Sequence, residues 1–469
     1  MRGVLALDQG SHASRAVVFD AAGAEVAIAT QRRGEIEVEH DARELLASVR
    51  AAAERALAAA RQARGDLTIA AAGLATQRST FVACDRATLA PLAPAISWQD
   101  RRNAAWLERL RRREPRVRAL SGLPLSAHYG ASKMRWCLDH LPAVAAAAAR
   151  GELLLLPLAA WLVGHLTGRA VVDPANAART LLWDSSTLDW SAELCALFGI
   201  AREWLPPCGP TRAHFGTFEV GGTTVPLTAC TGDQSAVPYA FGAPDPRCAY
   251  INLGTGAFIQ RPLAARPAAP APLIGSILGL DEHGALYSLE GSVNGAGAAV
   301  AWFAAESGVA ESALWPAFEA LSDSAAPPLF INAVGGLGSP WWRTHITPAM
   351  IGHGTPEECF AAVIESIVFM IAENLERMVD HGGALRRVVV TGGLSRSDGL
   401  CRRLAATLGV PVQRGGLEAT ARGVGALAAP AGGSRWASEA GAAFAPEPDL
   451  ALAARRERWL AALQQRLAD

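Results

Sequence analysis

The chain has 469 residues, 51% of them apolar and 19% charged, with a formal net charge of -1. That length exceeds what one hydrophobic core supports, so two domains are expected, and the composition excludes extensive disorder. The near-neutral balance excludes a nucleic-acid or anionic-membrane footprint.

Val4–Leu7, Ala16–Phe19, Glu25–Thr30 and a piece near Ile36–Val38 read as short strands broken by Gly or polar turns. Asp41, with Glu44 three residues on, is a capping-box-like start to a long helix burying Leu45, Leu46, Val49 and Leu57. Ile69–Thr76 and Phe81–Cys84 return to strand character, which implies a mixed sheet flanked by helices. The apolar run Leu153–Val163 is too short to span a bilayer and reads as a buried helix. Near residue 248 the layout restarts: Ala249-Tyr-Ile-Asn-Leu-Gly-Thr-Gly-Ala-Phe-Ile259 repeats the strand, glycine turn, strand pattern of residues 5–18. A duplicated architecture predicts a ligand cleft between halves, divided near residues 236–247. Beyond about residue 430 the chain is Ala-rich and ends in a helix around Leu452–Leu467.

The eight cysteines are scattered without a CxxC pair and read as reduced thiols. The chain starts directly on a strand-like run, without a signal-peptide pattern, and a cytoplasmic location is expected. Lys133 is the only lysine, and it lies in Ala131-Ser-Lys-Met-Arg135, so no GxxxxGK[ST] phosphate loop exists. A G-x-G-x-x-A string at Gly423, Gly425 and Ala428 sits in a helical run with no acidic ribose partner after it, and reads as a chance match. Three other turns suit phosphate: Asp8-Gln-Gly-Ser11, Gly254-Thr-Gly256 and Gly392-Gly393, each directly after a strand. Glycine lets the backbone approach phosphate oxygens, and Ser11 and Thr255 add hydroxyl donors. Asp8 at its strand end suits Mg²⁺, which takes a few carboxylates plus phosphate oxygens. Singly, each turn is as readily plain hairpin chemistry; their order carries the weight.

Leu7-Asp-Gln-Gly-Ser-His-Ala-Ser-Arg15, Gly254-Thr-Gly256 and Thr391-Gly-Gly393 resemble the first phosphate, second phosphate and adenosine motifs of the sugar kinase and actin superfamily. Within it the chain resembles the FGGY carbohydrate kinases, nearest in wording to their glycerol kinase branch. Supporting strings include Glu39-His-Asp41, Thr76-Gln-Arg78, Ser97-Trp-Gln-Asp-Arg-Arg102, Asn176-Ala-Ala-Arg-Thr180, Thr187-Leu-Asp-Trp190, Gly232-Asp-Gln234 and Gly336-Leu-Gly-Ser-Pro340.

The resemblance implies an α/β fold of two actin-like (ribonuclease H-like) domains, residues 1–240 and 241–469, each a mixed sheet flanked by helices, with a catalytic cleft between them. It implies ATP-dependent phosphorylation of a hydroxyl on a small sugar or polyol, with ATP and Mg²⁺ as cofactors. The chain's own copy is a candidate partner in a homodimer. Asp233 becomes the general base, a role that a carboxylate at a cleft edge can fill, although its spacing alone also allows a turn or helix-cap residue. Asp8 and Asp233 become the metal-side carboxylates. The acceptor pocket maps to Arg78, Ser79, Trp98, His128, Tyr129, Asp233, Gln234 and Phe258. Without the resemblance, Arg78 reads as a surface or salt-bridged arginine and the aromatics as core. ATP maps to Gly10, Ser11, His12, Arg15, Gly254, Thr255, Gly256, Gly297, Gly392, Gly393 and Ser397.

Several positions depart from glycerol kinases. Ser79 stands where they have glutamate, and His128 where they have the tyrosine of the substrate wall. His12 and Ala13 replace hydroxyl residues, Ala301 a glutamine, and Ala159-Ala160 a more polar pair; the segment Ala349–Gly354 is shorter than the family's second signature. The short side chain at Ser79 suggests an acceptor larger than glycerol, such as a ketopentose or longer polyol. Two alternatives stay open: a glycerol kinase proper, and a non-catalytic sugar- or nucleotide-binding regulator on the same fold.

Overall fold

The computed structural model describes residues 2–34, 38–268, 272–321, 325–430, 436 and 441–468. The strand expected near Ile36–Val38 falls largely outside them.

The first lobe is organised on a six-stranded sheet built from β1 (Arg2–Gln9), β2 (Ala13–Asp20), β3 (Glu25–Arg32), β4 (Thr68–Thr76), β5 (Arg212–Val220) and β6 (Thr223–Gly232), in spatial order β5-β6-β4-β1-β2-β3. β1 to β3 form an antiparallel meander, while β1, β4 and β6 run parallel. Side chains alternate across a strand, and here both faces are covered. Leu5 and Leu7 join the core under helix α1 (Ala42–Ala63), which Asp41 caps through the Arg43 N–H; Val4 and Ala6 face the opposite way. That is why β1 reads as a continuous apolar run rather than an alternating one.

The second sheet repeats the pattern. Its strands are β7 (Cys248–Leu253), β8 (Ala257–Leu263), β9 (Ile274–Asp281), β10 (Gly284–Val293), β11 (Arg387–Thr391), β12 (Val412–Arg414) and β13 (Ala443–Phe444), in order β9-β10-β8-β7-β11-β12-β13. Here β7, β8 and β10 form the antiparallel meander, and β7, β11 and β12 run parallel. The restart expected from sequence pattern near residue 248 is therefore a repeat in topology. Helix α2 (Pro356–Gly382) crosses this lobe with a full capping box between Thr355 and Glu358.

Two elements cross between the sheets. Helix α3 (Ala419–Ala428), late in the chain, lies on the first sheet, where Ala421, Val424 and Ala428 cover Val4, Ala6 and Val17. A side chain at Gly423 would sit 1.9 Å from the Ala236 carbonyl oxygen, so the G-x-G-x-x-A string is a helix-packing device and not a nucleotide loop. In return, Ile274 and Ile277 of β9 belong to the core of the first lobe.

One expectation needs correction. Leu153–Val163 is not a single helix but a strand, Leu153–Pro157, followed by a helix, Leu158–Thr167. The leucines pair with Phe81–Asp85, and Pro157 sits just before the helix, a position compatible with its fixed φ. Among the described residues no helix is long and apolar enough to cross a membrane, and all eight cysteines are unpaired.

Candidate active site

Asp8 and Asp233 meet at the same end of the first sheet. Asp8 and Thr231 both pair with Ala75 of β4, from opposite sides, so the strands that carry the two carboxylates lie roughly 10 Å apart, two strand spacings. Asp233 then opens a short helix directly at the end of β6. Both lie at the carboxyl ends of parallel strands, where open α/β sheets hold their ligands. The two side chains feel each other: burial, and then the charge of Asp233, push the Asp8 carboxyl up to about 7, against the opposing pull of Arg15. Burial also raises Asp233, opposed chiefly by Arg78.

Around Asp233 the second lobe closes in. Arg78 Nε lies 3.7 Å from Asp233 Oδ1, and its Nη1 donates to Glu290 Oε1 at 3.0 Å and Nη2 to Oε2 at 3.5 Å. Arg179 donates to the same Glu290 carboxylate and, at 3.2 Å, to Ser276 Oγ. Burial opposes ionisation of Glu290, which is 1% exposed, but Arg179 and Arg78 prevail and hold its carboxyl at about 2. Phe258 lies under the Arg78 guanidinium, 5.0 Å from ring centroid to Cζ. Gln260 Nε2 donates to the Gln234 carbonyl at 2.6 Å. Several buried polar atoms here lack a hydrogen-bond partner, among them Ser79 Oγ, Gln234 Oε1, Gln260 Oε1, Thr231 Oγ1 and Arg179 Nε. Ser79 also holds a left-handed backbone, φ 64°. Unsatisfied polar atoms and local strain are what a pocket awaiting hydroxyl groups presents.

The opposite wall is aromatic. Trp98 and His128 meet edge to face at 5.7 Å, and His128 packs edge-on against the buried Tyr129 at 5.0 Å. Burial, then the charges of Lys133 and Arg101, keep the His128 imidazole neutral, well below its usual range. Trp98 Nε1 donates to Ser11 Oγ at 2.8 Å, and Ser11 Oγ donates to Gln77 Oε1 at 3.1 Å. The Asp8–Ser11 turn thus touches the acceptor wall directly. Arg15 lies 4.0 Å from Asp8 and 3.6 Å from Glu418, which immediately precedes α3. His12 is exposed, its carbonyl accepting from the Arg33 N–H.

The remaining turns converge from the second sheet. Asn252 and Thr391 are paired on the adjacent parallel strands β7 and β11, which brings the Gly254–Gly256 and Gly392–Gly393 turns side by side. Gly392 has φ 88°, and a side chain there would come within 2.6 Å of the Leu253 carbonyl oxygen, whereas Gly393 faces open space. Gly297 opens the helix Gly297–Ser307 against the first of these turns, its N–H donating to the Gly254 carbonyl at 2.9 Å and the Ala298 N–H to that of Thr255 at 2.8 Å. Ser397 is occupied otherwise: it caps the helix Asp398–Leu408 through the Leu400 N–H, and its hydroxyl donates to Glu319.

Sequence reasoning missed Glu290, Arg179 as its partner, Gln77, Glu418 and Lys133. Glu290 had a readable signal, a carboxylate inside the apolar and small-residue run Leu289–Val293. The carboxylate pair also fits a divalent cation, since Asp8 is a buried acid whose ionisation is opposed by a neighbouring acid. Among the described residues no cluster of three or more His, Cys, Asp or Glu could hold a metal, so the two carboxylates would hold a cation only with help from other oxygens such as phosphate and water.

The profile of the N-terminal domain of the FGGY family of carbohydrate kinases matches residues 3–250, and that of its C-terminal domain residues 249–432. A glycerol kinase of Bordetella parapertussis is 36% identical over 98% of this chain and 96% of its own length. The fold is similar to that of Plasmodium falciparum glycerol kinase, solved with ADP (TM-score 0.91, 22% identity, covering 100% of this chain and 98% of that one). It is also similar to xylulose kinase from Rhodospirillum rubrum (TM-score 0.86, 21% identity, covering 100% of both chains).

Proposed function

The chain belongs to the FGGY family of carbohydrate kinases, and from that premise we propose that it phosphorylates a linear polyol or ketose longer than glycerol, with Asp233 as general base. Membership makes it an ATP-dependent carbohydrate kinase; the acceptor's size and the residue roles are our reading. The observation that carries it is the convergence of Asp8 and Asp233 on one cleft edge, under a wall of side chains from the second lobe.

In this reading residues 1–240 supply most of the acceptor side and residues 241–469 the nucleotide side. The acceptor hydroxyl gives its proton to an Asp233 carboxylate oxygen as its oxygen attacks the γ-phosphorus, and the bond to the β,γ-bridging oxygen breaks to release ADP. Arg78, pinned by Glu290, favours the Asp233 carboxylate and so partly offsets the burial that raises its pKa. Backbone N–H groups of the Gly254–Gly256 turn, with Ser11 and Arg15, would face the phosphates, and the Gly392–Gly393 turn the adenosine. Asp8, helped by Asp233, would hold Mg²⁺, which neutralises phosphate charge when bound. Phosphoryl transfer needs positioning and charge stabilisation more than covalent chemistry, and the pinned arginines suit that demand.

Ser79 supports the larger acceptor: where the glycerol kinase branch carries glutamate, this pocket has a short side chain with an unpartnered hydroxyl. The test is ADP release by the full chain with Mg-ATP and glycerol, tetritols, pentitols or ketopentoses in turn. At least about tenfold higher kcat/KM on a four- or five-carbon acceptor is expected, about the size that one well-made hydrogen bond and one methylene contact supply. Glycerol as the best acceptor would overturn the size assignment and leave the kinase chemistry standing.

A further inference from the structure

Every basic position in this chain except one is filled by arginine or histidine; the exception, Lys133, is completely buried. Its Nζ donates to the Ser97 carbonyl at 2.7 Å and to the His128 carbonyl at 2.9 Å. Those two peptides carry the two rings of the aromatic wall: Ser97 precedes Trp98, and His128 packs edge to face against that indole. We infer that Lys133 is a positioning residue that ties Trp98 to His128 and so fixes the aromatic wall of the acceptor pocket and its register against the Asp8–Ser11 turn. The inference rests on the acceptor-pocket reading above.

Ionic groups are expensive to bury, and an apolar side chain of similar length is commonly the more stable choice at a purely structural position. Burial accordingly lowers the ammonium to about 7, with Asp100 pulling the other way. What the lysine supplies in return is a compact donor with three protons on a flexible stem, able to reach two carbonyls at once where a planar guanidinium would be too broad. The two carbonyls come from segments far apart in sequence, and no backbone hydrogen bond joins Trp98 to His128. Further bonds pass the constraint on. Arg101 Nη1 reaches both the Trp98 carbonyl at 3.3 Å and His128 Nδ1 at 3.1 Å. The Trp98 N–H donates to Thr80 Oγ1 at 3.1 Å, and its indole reaches Ser11. Beyond Ser11, Gln77 donates to Gln9 at 3.2 Å, on the strand that carries Asp8. A shift of the Ser97 peptide therefore moves the indole, and the indole moves the first phosphate turn.

The experiment compares the full-length chain with Lys133→Met and Lys133→Gln, using the best acceptor of the wild-type panel. KM for the acceptor, KM for ATP, kcat and the thermal midpoint are measured for each. Lys133→Met is expected to raise the acceptor KM at least about tenfold with the ATP KM within about twofold, the signature of lost acceptor positioning. Lys133→Gln, whose amide still offers two donors, is expected to recover part of that loss at a similar midpoint. An unchanged acceptor KM in a folded variant overturns the inference. So does a parallel rise in both KM values, or a Lys133→Gln variant no better than Lys133→Met with losses that follow the melting temperature. Should Lys133→Met fail to fold, Lys133→Gln alone decides between these outcomes. A wild-type chain that turns over no acceptor removes the pocket and the lysine together; a working wild type with indifferent variants removes only the lysine.

Discussion

At the Gly254–Gly256 and Gly392–Gly393 turns the cleft offers backbone, whereas around Arg78 it offers side chains drawn from both lobes and bonded to one another. In the proposed reading the nucleotide end makes few demands on residue type beyond glycine, because phosphate is recognised by N–H groups that any sequence carries. The proposed acceptor end holds Asp233, two arginines and Glu290 in fixed relation, and in that reading it can change specificity one side chain at a time. A fold can thus keep one phosphoryl donor while its acceptor drifts.

Variants at the acceptor end test that contrast most sharply. Asp233→Asn should fold normally and lose at least about a hundredfold in kcat, the usual scale for a general base, as read by ADP release. Near-normal turnover would remove the base from the account. Glu290→Ala leaves Arg179 without its carboxylate partner and Arg78 with Asp233 alone, and breaking a buried pair costs about 3–5 kcal/mol. Its thermal midpoint should fall by many degrees, with acceptor binding weakened before ATP binding. Equal effects on both ligands would blur the distinction between the two ends.

Asp8→Asn is expected to lose activity yet gain stability at alkaline pH. The Asp8 pKa is raised in the fold, so its stabilising contribution is full below the unfolded value near 3.8 and is lost as pH rises through about 7. The span corresponds to about 4 kcal/mol. Without ligand, the wild type should therefore melt lower at pH 8 than at pH 6, and this part of the slope should vanish in Asp8→Asn. An identical pH profile in both proteins would contradict the burial of an uncompensated acid at Asp8. The smallest effect belongs to Ser79→Glu, which should shift preference toward glycerol by roughly tenfold in relative kcat/KM. No change in preference would mean that pocket size is set elsewhere.

The glycine turns were legible because their geometry is local. A turn that needs φ 88° at Gly392, or that lets backbone approach backbone, must spend its glycine at that position in the sequence. The duplicated strand and turn order was readable for the same reason, and so were Asp8 and Asp233, which stand at strand ends. Glu290 was not readable as the partner of Arg78, because 212 positions separate them and nothing local marks the contact. Lys133 could be seen only as an oddity of composition, since its two carbonyl acceptors are brought together by tertiary packing. Ser397 sits beside the expected adenosine turn, yet its hydroxyl serves a helix end, a competition between roles that spacing does not resolve. The Leu153–Val163 run misled because continuous leucine suits a buried strand and a buried helix equally.

Helix α3 has a consequence for how the molecule is made. The first sheet is complete once β6 is synthesised at residue 232, but most of the cover on the face bearing Val4, Ala6 and Val17 comes from Ala421–Ala429 and Trp436, near the end of the chain. At ribosomal speeds of about 5–20 residues per second, the intervening stretch takes roughly ten to forty seconds to emerge. Throughout that interval a finished sheet shows an apolar surface to the cell, so a fragment stopped at residue 240 should aggregate, and nascent chains should recruit chaperones before the last tenth of the protein arrives.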